Sequence, residues 1–273
     1  MMNRAQIADL IVARLAPEVG RLHEEFGTAD RIAACQAKDL LPVDLVERVF
    51  HAFPASDRMV LKRSIKENKH VVAQMDEHDP LLEEVVYAFQ DPRVVDLIAS
   101  ITGLTTLEPD ADLYAGGISA MSKGAYLRPH LDNSHDKDRK RYRALNLLFY
   151  VTPGWSEDFG GSLQLWDDGP RGEPRTIPSL FNSLVIMLTD EQSWHSVNEV
   201  RHDGRRCCVS NYYFSREAPG ATNYSHATTF RAEHGRGLAD IAMRADNALR
   251  TTVLNSAGGT LWRNPHVYQR DKH

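Results

Sequence analysis

The stretch LYAGGISAMSKGAYLRPHLDNS, at residues 113–134, sets the structural character of the chain. Short runs of β-branched and aromatic residues in it are separated by glycine-containing turns, and the same pattern continues to residue 215. Many short strands with turn signals between them are typical of an antiparallel sandwich or barrel. The segments predicted to be strands are 112–119, 125–131, 143–151, 162–166, 174–177, 183–188, 193–198 and 205–215.

The sequence before this region has a helical pattern. Apolar residues recur at helical spacing over 7–15 and 45–50. Two later helices have clear starts, since Asp79-Pro80 and Asp91-Pro92 each place an N-cap acid before a proline at the first helical position. The second of these helices is expected to end at Gly103, because glycine suits the left-handed conformation that follows many helices.

The C-terminal segment contains one more helical period, over 238–254, followed by a glycine break and a polar tail. No internal repeat or obvious linker divides the chain. The simplest organisation is therefore a single domain over 1–273. It would have a helical N-terminal scaffold over 1–103, a β core over 104–215, and a C-terminal extension with one helix over 216–273.

The composition narrows the class of protein. The chain has 273 residues, 42% of them hydrophobic and 25% charged, and its formal net charge is −5. Nucleic-acid binders normally carry an excess of Lys and Arg, so that class is disfavoured. No apolar run approaches the roughly 18–20 residues of a membrane span. We therefore expect neither a nucleic-acid partner nor a membrane partner.

The cysteines and the N-terminus indicate the compartment. Cys35, Cys207 and Cys208 form no disulfide framework, and the last two are adjacent on a predicted strand, where neighbours face opposite ways. The N-terminus carries charges through its apolar positions, unlike a secretory signal. The chain is therefore expected to be cytoplasmic.

Two histidines and one carboxylate form the best candidate site. His130 and Asp132 are two residues apart on a predicted strand, so their side chains project from the same face. His195, on a later strand, can supply a third ligand. Two histidines and a carboxylate on one side of a metal leave positions open for a co-substrate and O₂, as in non-haem Fe(II) oxygenases. The alternative is a set of hydrogen-bonded polar residues on a barrel wall.

Other polar residues are weaker candidates. Lys62, Lys66 and Lys69 are spaced as a basic stripe on a predicted helix, which is most often a solvated face and alternatively a contact for an anionic substrate. Asn133 and Ser134 follow the His-x-Asp motif and are candidates for substrate contact. The remaining candidates are histidines in polar, loop-like stretches, namely His202, His226, His234 and His266.

Four stretches together resemble the Fe(II)/2-oxoglutarate-dependent dioxygenases of the prolyl 4-hydroxylase-like type. They are the stretch quoted first, RALNLLFYVTPGW (143–155), FGGSLQLWDD (159–168), and SWHSVNEV with GRRCCVSNYYFS (193–200 and 204–215). The resemblance implies an α+β, mainly β fold with a double-stranded β-helix (jelly-roll or cupin-like) core, flanked by N-terminal helices and a C-terminal helix. It also implies that His130, Asp132 and His195 are the catalytic iron ligands.

The same resemblance implies contacts with 2-oxoglutarate. Tyr150 matches a tyrosine whose hydroxyl points at 2-oxoglutarate in relatives, although a plain core tyrosine is an equal alternative. Trp166 lies in the family's Gly-Gly-x-Leu strand and is expected to pack. The chain departs from the family at Met121, where many relatives have an aromatic residue, and this puts one co-substrate contact in doubt.

Two adjacent arginines compete as the anchor of 2-oxoglutarate. Either could hold a carboxylate through a two-point ion pair, but neighbours on a strand face opposite ways. Relatives place a large aromatic residue six positions after the anchor, and from Arg206 that position is Tyr212. This register favours Arg206 over Arg205. It also puts Ser210 on the inner face, where its hydroxyl can donate a hydrogen bond.

The resemblance implies hydroxylation of an unactivated C–H bond, with decarboxylation of 2-oxoglutarate to succinate and CO₂. Fe(II), 2-oxoglutarate and O₂ would be required, and ascorbate is a candidate stimulant. We expect a small-molecule or natural-product substrate, because no separate peptide-binding module is visible. Hydroxylation of a protein or peptide residue such as proline is the alternative, and a non-catalytic cupin-like module is a further one. A homodimer is a candidate assembly.

Overall fold

The computed structural model describes residues 2–114, 116–220, 224–232, 243 and 267–269. The helices predicted to begin at Pro80 and Pro92 both begin there. The side chains of Asp79 and Asp91 cap them, since each accepts a hydrogen bond from the backbone amide two residues later. Gly103 ends the second of them with a φ of +74°. The labelled helices are α1 (Arg4–Leu15), α2 (Val19–Phe26), α3 (Val43–Ala52), α4 (Pro80–Ala88) and α5 (Pro92–Thr102).

Thirteen strands of the described chain form one antiparallel sheet. They are β1 (Ala34–Lys38), β2 (Val60–Arg63), β3 (Glu67–Val72), β4 (Leu107–Pro109), β5 (Gly117–Ser122), β6 (Tyr126–Leu131), β7 (Tyr142–Tyr150), β8 (Leu163–Leu165), β9 (Arg175–Ile177), β10 (Ser183–Leu188), β11 (His195–Val197), β12 (Arg205–Ser215) and β13 (Thr229–Phe230). The order across the sheet is β1-β10-β7-β12-β5-β3-β6-β11-β8-β9. In addition, β2 pairs with β3, β4 with β12, and β13 with β6.

The two ends of this strand order pack against each other, so the sheet is curled. Arg175 on β9 donates a hydrogen bond of 2.9 Å to the carbonyl oxygen of Ile32, just before β1. Buried apolar side chains from both ends share one cluster, formed by Ile32, Ala34, Tyr150, Leu163, Leu165, Ile177, Val185, Met187 and Cys208. The result is a half-barrel of the double-stranded β-helix type with N-terminal helices, which confirms the predicted fold class.

Alternation along β7 and β12 separates a helix-facing side from a cavity-facing side. Leu145, Leu147 and Phe149 of β7, with Cys207 and Val209 of β12, belong to the apolar core that includes the helices. The intervening side chains line a cavity on the opposite face, and they are Asn146, Leu148, Tyr150, Arg206, Cys208 and Ser210. The adjacent cysteines therefore face opposite ways, as predicted.

The N-terminal part of the chain is not purely helical. Residues 1–103, predicted as a helical scaffold, also contribute β1, β2 and β3 to the sheet. β1 pairs with β10 at one end of the strand order, and β3 lies between β5 and β6. These strands have five, four and six residues respectively, too few to produce a clear period in the sequence.

The lysine stripe lies on a hairpin, so its predicted helix is wrong. Lys62 on β2 is directly opposite Lys69 on β3. Ser64 closes the turn, because its amide donates a 2.8 Å hydrogen bond to the carbonyl of Glu67 and its hydroxyl accepts one of 3.1 Å from the amide of Lys66. Polar strands that face a cavity lack the apolar alternation by which strands are recognised in sequence.

Two further predictions differ from the structure or fall outside it. β5 begins at Gly117 rather than at residue 112, since the preceding residues form a turn in which the amide of Leu113 donates to the carbonyl of Asp110 at 3.1 Å. The predicted C-terminal helix over 238–254 lies, apart from Met243, outside the described residues. None of the described helices has the length and apolar character needed to cross a membrane.

Candidate active site

The three predicted metal ligands lie together on the cavity wall. His130 on β6 and His195 on β11 are directly opposite each other across the strand pair, and Asp132 follows β6. The Nε2 atoms of His130 and His195 are 3.6 and 3.5 Å from the two carboxylate oxygens of Asp132. One ligand atom from each residue lies within 4.8 Å of the others. The three side chains can therefore coordinate a single ion.

Backbone carbonyls orient both imidazoles toward this point. Nδ1 of His130 is 3.0 Å from the carbonyl oxygen of Arg128, and Nδ1 of His195 is 2.8 Å from that of Ser193. Since a carbonyl can only accept, each neutral ring carries its proton on Nδ1. This leaves the Nε2 lone pair of each ring available to a metal.

A buried arginine and an asparagine hold the carboxylate. Asn146 Nδ2 donates a 2.8 Å hydrogen bond to Oδ2 of Asp132, and Nη2 of Arg143 lies 3.4 Å from the same oxygen. Arg143 also donates to Oδ1 of Asn146 at 3.1 Å and to Oδ1 of Asn133 at 3.0 Å. Its guanidinium carbon lies 3.7 Å from the centre of the Tyr212 ring. These contacts fix the position of Asp132.

Arg143 is the site residue that sequence reasoning missed. Strict alternation along β7 would place it on the helix-facing side with Leu145. The register between β7 and β12 shifts between Tyr213, which pairs with Leu145, and Phe214, which pairs with Arg143. This bulge turns Arg143 toward Asp132. The only sequence signal was an arginine at the start of an otherwise apolar strand.

The charges around the ligand set favour an ionised Asp132 and a neutral His130. Burial alone would raise the pKa of Asp132, but the neighbouring Arg143 and both histidines hold it well below its ordinary value. Burial and the nearby His195 lower the pKa of His130. One anionic and two neutral donors suit a divalent cation.

At another part of the same cavity, Arg206 is buried without an acidic partner. The residue is 4% exposed and forms no ion pair with any described carboxylate. Its Nη2 lies 3.0 Å from the sulfur of Met121, and its Nε has no hydrogen-bond partner. The buried hydroxyl of Tyr150 also has none, and the Tyr150 ring centre is 5.2 Å from the guanidinium carbon. An isolated buried cation is costly, so this arrangement fits an anionic ligand.

Gly161 provides the room that Arg206 occupies. A Cβ atom at this position would lie 3.0 Å from Cδ of Arg206 and 3.1 Å from Cγ2 of Val200. The glycine also has a φ of +72°, which side-chain-bearing residues rarely adopt. Gly161 therefore shapes the wall beside the arginine.

The two adjacent arginines point in different directions. Arg206 lines the cavity, whereas Nη1 of Arg205 donates to the carbonyl oxygen of Pro54. Ser210 also lines the cavity, with its hydroxyl 3.7 Å from the sulfur of Cys208. These positions match the strand register argued from the sequence. The roles of Arg206, Tyr150 and Ser210 in binding 2-oxoglutarate stay predictions.

One cavity of about 450 Å³ contains both the ligand set and Arg206. Residues 225–228 and Phe230 form part of its wall, and β13 pairs with β6 there. Phe230 stacks on His130, with ring centres 5.1 Å apart and 14° between the planes. His226 also lines the cavity, and the amide of Ser134 donates to its carbonyl at 3.0 Å.

The weaker candidates separate into three groups. Asn133 and Ser134 line the cavity, although each side chain already has a partner within the protein. His202 does not line it and stacks on Phe159 at 3.7 Å. His234 and His266 lie outside the described residues. Trp166 packs as expected, and its Nε1 donates to Ser196 at 2.8 Å.

The donors present fit iron and 2-oxoglutarate. Two imidazole nitrogens and one carboxylate on one side of a shared point form the facial arrangement that non-haem Fe(II) sites use. The unpartnered Arg206 in the same cavity matches the distal carboxylate of a dicarboxylate co-substrate. A site for a metal alone gives no reason to bury that cation.

Sequence comparison agrees with this donor set. Residues 116–214 match the 2OG-Fe(II) oxygenase superfamily. The chain is 34% identical over 84 residues to prolyl 3-hydroxylase OGFOD1 of Xenopus laevis and 31% identical over 86 residues to that of Mus musculus. Each match covers 29% of this chain, but only 16% and 15% of the two relatives.

Solved structures share the fold. A prolyl-4-hydroxylase from Pseudomonas putida superposes with a TM-score of 0.54 at 19% identity, covering 73% of this chain and 100% of that one. A prolyl 4-hydroxylase from Phytophthora capsici gives 0.54 at 14% identity, covering 90% and 77%. HygX from Streptomyces hygroscopicus, with nickel, 2-oxoglutarate and hygromycin B bound, gives 0.50 at 12% identity, covering 70% and 86%.

The family match covers His130, Asp132, His195 and Arg206, and the structure brings these residues to one cavity. Residues 116–214, which carry this site, belong to the 2OG-Fe(II) oxygenase superfamily, and the His-Asp-His ligand set is that of an enzyme of this class.

Proposed function

We propose that this enzyme hydroxylates a prolyl residue of a polypeptide substrate. The observation that supports this proposal most is the sequence identity with two prolyl 3-hydroxylases, at 34% and 31% over their matched segments. This reading replaces the small-molecule substrate expected from the sequence, which rested on the lack of a separate peptide-binding module. The fold does not separate the two readings, because its neighbours include prolyl hydroxylases and HygX with hygromycin B bound.

The protein's first task would be to hold the metal. His130, Asp132 and His195 would bind Fe(II), and Arg143 with Asn146 would keep Asp132 ionised and correctly aimed. When bound, the iron would supply the chemistry by which O₂ oxidises both 2-oxoglutarate and the substrate: one oxygen atom converts C–H to C–OH, the other enters succinate, and CO₂ is released.

The second task would be to orient the co-substrate. Arg206 would form a charge-assisted pair with its distal carboxylate, while the hydroxyls of Tyr150 and Ser210 are placed to donate hydrogen bonds in the same part of the cavity. Because the guanidinium and the tyrosine hydroxyl are buried, these contacts would be made away from bulk water.

Mass spectrometry of peptides tests the substrate class. The purified protein is incubated with Fe(II), 2-oxoglutarate, O₂ and a pool of synthetic peptides in which proline has varied neighbours. We expect some peptides to gain the mass of one oxygen atom, located on proline by fragmentation. A matched pool with alanine in place of proline is the control.

The result that would contradict the proposal is oxygen insertion into alanine-containing peptides at an equal rate, or oxidation of small molecules with no reaction of any proline peptide. The second result would restore the small-molecule reading. Stimulation by ascorbate, a homodimeric assembly and a cytoplasmic location stay predictions from the sequence.

A further inference from the structure

Two lysines of the β2–β3 hairpin line the cavity that holds the metal ligands. Lys62 and Lys69 are a directly opposed pair across the two strands, and both line the cavity. Glu67 and Val71, two residues before and after Lys69, line it as well. The hairpin therefore turns one face toward the reaction site.

The charges on this face do not cancel. Nζ of Lys69 is 3.3 Å from a carboxylate oxygen of Glu67, with side-chain exposures of 23% and 25%. Lys62 is half-buried and forms no ion pair with any described residue. The face consequently carries two cations and one anion.

Such a pair is unfavourable unless something binds to it. Like charges directly opposite each other across two strands destabilise a sheet. Burial and the neighbouring Lys69 lower the pKa of Lys62, and the nearby Glu67 only partly opposes this shift. An anion placed between the two ammonium groups would relieve the repulsion.

We propose that Lys62 and Lys69 form a subsite that receives an acidic side chain of the polypeptide substrate, near the residue to be hydroxylated. The identity of the ligand as part of a polypeptide rests on the proposed function. The anion-binding character of the subsite rests on the hairpin alone. Arg206 is a separate cation, on β12, assigned above to 2-oxoglutarate.

A labelling experiment tests the anion site without turnover. Pyridoxal phosphate combines an anion with an aldehyde that reacts with lysine, and borohydride fixes the product for peptide mapping. Mn(II) and 2-oxoglutarate are present so that the inner part of the cavity is filled. We expect Lys62 to be labelled faster than the exposed Lys38, and inorganic phosphate to slow its labelling about tenfold. Equal labelling of both lysines, unaffected by phosphate, would overturn the subsite.

Matched peptides test the substrate preference. Proline peptides carrying glutamate at successive positions near the proline are compared with their glutamine counterparts by succinate release. We expect kcat/KM to be about tenfold higher for the best glutamate peptide, and Lys62→Gln to remove this difference between the two peptides. Arg63→Gln, which removes the same charge from the exposed next residue of β2, should preserve the preference.

The outcomes separate this inference from the proposed function. Equal turnover of both peptides by the wild type, or an equal loss on both in Lys62→Gln, would contradict the subsite and leave prolyl hydroxylation standing. Phosphate-sensitive labelling with no peptide turned over would contradict prolyl hydroxylation and leave the subsite standing. Because the lysine pair is repulsive, Lys62→Gln should not lower the Tm. A clear decrease would show that Lys62 has a structural role instead.

Discussion

At the scale of single residues, the decisive feature is a buried guanidinium with no acid beside it. Arg206 touches a thioether and leaves its Nε unpartnered, although buried charges in proteins are normally paired. The adjacent Arg205 instead hydrogen-bonds a backbone carbonyl. The two adjacent arginines thus have different surroundings, and mutation of each one tests whether they differ in function.

Replacing Arg206 by alanine should weaken 2-oxoglutarate binding strongly. Losing a charge-assisted pair to a buried carboxylate costs about 2–5 kcal/mol, so the KM for 2-oxoglutarate should rise by well over tenfold. Arg205→Ala is the matched control and should change that KM little. The KM values are measured by succinate release. A larger rise in KM for Arg205→Ala than for Arg206→Ala would show that Arg205, not Arg206, anchors 2-oxoglutarate.

Tyr150 allows a complementary test, because its buried hydroxyl has no partner in the free protein. Tyr150→Phe removes that hydroxyl and leaves the ring packed. The Tm without ligand should stay the same or rise slightly, since an unsatisfied buried group is unfavourable. The Kd for 2-oxoglutarate, measured by calorimetry with Mn(II) present, should increase several-fold. An unchanged Kd would identify Tyr150 as a plain core residue.

At the scale of the structural elements, the turn before β8 shapes the co-substrate end of the cavity. A side chain on Gly161 would press on Arg206 and Val200, and the backbone there has a φ of +72°. Gly161→Ala should therefore lower stability by about 1–3 kcal/mol and also raise the KM for 2-oxoglutarate. Chemical denaturation and succinate release measure the two effects.

Gly154→Ala is the control for that prediction. Gly154 also has a positive φ, of +65°, but a Cβ there would meet nothing within 4 Å. The control should lower stability by about 1 kcal/mol through backbone strain alone, with no change in the KM. If both variants change the KM equally, the contact between Gly161 and Arg206 is not what positions the guanidinium.

The elements also show which parts of the fold were readable from the sequence. β7, β10 and β12 bury one apolar face against the helices, and this packing imposes the alternation that predicted their bounds closely. The same alternation placed Arg206 inside and Arg205 outside. The helices with proline and aspartate at their starts were predictable because their caps are local.

Other elements could not be predicted from the sequence pattern, because contacts between residues far apart in the chain determine their structure. β2 and β3 are polar on the cavity side, so their lysines had the spacing of a helix face. Arg143 reaches Asp132 through a bulge that depends on the pairing of β7 with β12, and no local pattern encodes that register shift. The ligand triad was predictable because a strand brings residues two apart to one face, whereas its supporting arginine was not.

At the scale of the whole molecule, buried histidines make stability depend on pH. Burial lowers the pKa of His130 and of His226, so both stay neutral in the folded protein at a pH where the unfolded chain is protonated. The unfolded state then binds more protons, and stability falls as pH decreases below about 6.5. The Tm of the metal-free protein should accordingly decrease from pH 7.5 to pH 5.5.

Metal should add to this dependence. A divalent ion that binds only the folded state raises the Tm, and it needs neutral imidazoles at His130 and His195. The increase in Tm on adding Mn(II) should therefore shrink as pH falls. His51→Ala, at an exposed histidine on α3, should keep the increase, while His130→Ala should lose it. An increase of the same size in His130→Ala would argue against coordination by that residue.

The cavity lined by His130, Asp132, His195 and Arg206 is expected to couple bound iron to the oxidation of 2-oxoglutarate. The most direct measurement is the amount of succinate formed from 2-oxoglutarate under air, with Fe(II) and the pooled proline peptides. The wild type should form succinate with matching oxygen uptake, and the variant carrying both His130→Ala and His195→Ala should form none while remaining folded. Succinate formation by that double variant at the wild-type rate, or its absence from the iron-loaded wild type, would contradict the account.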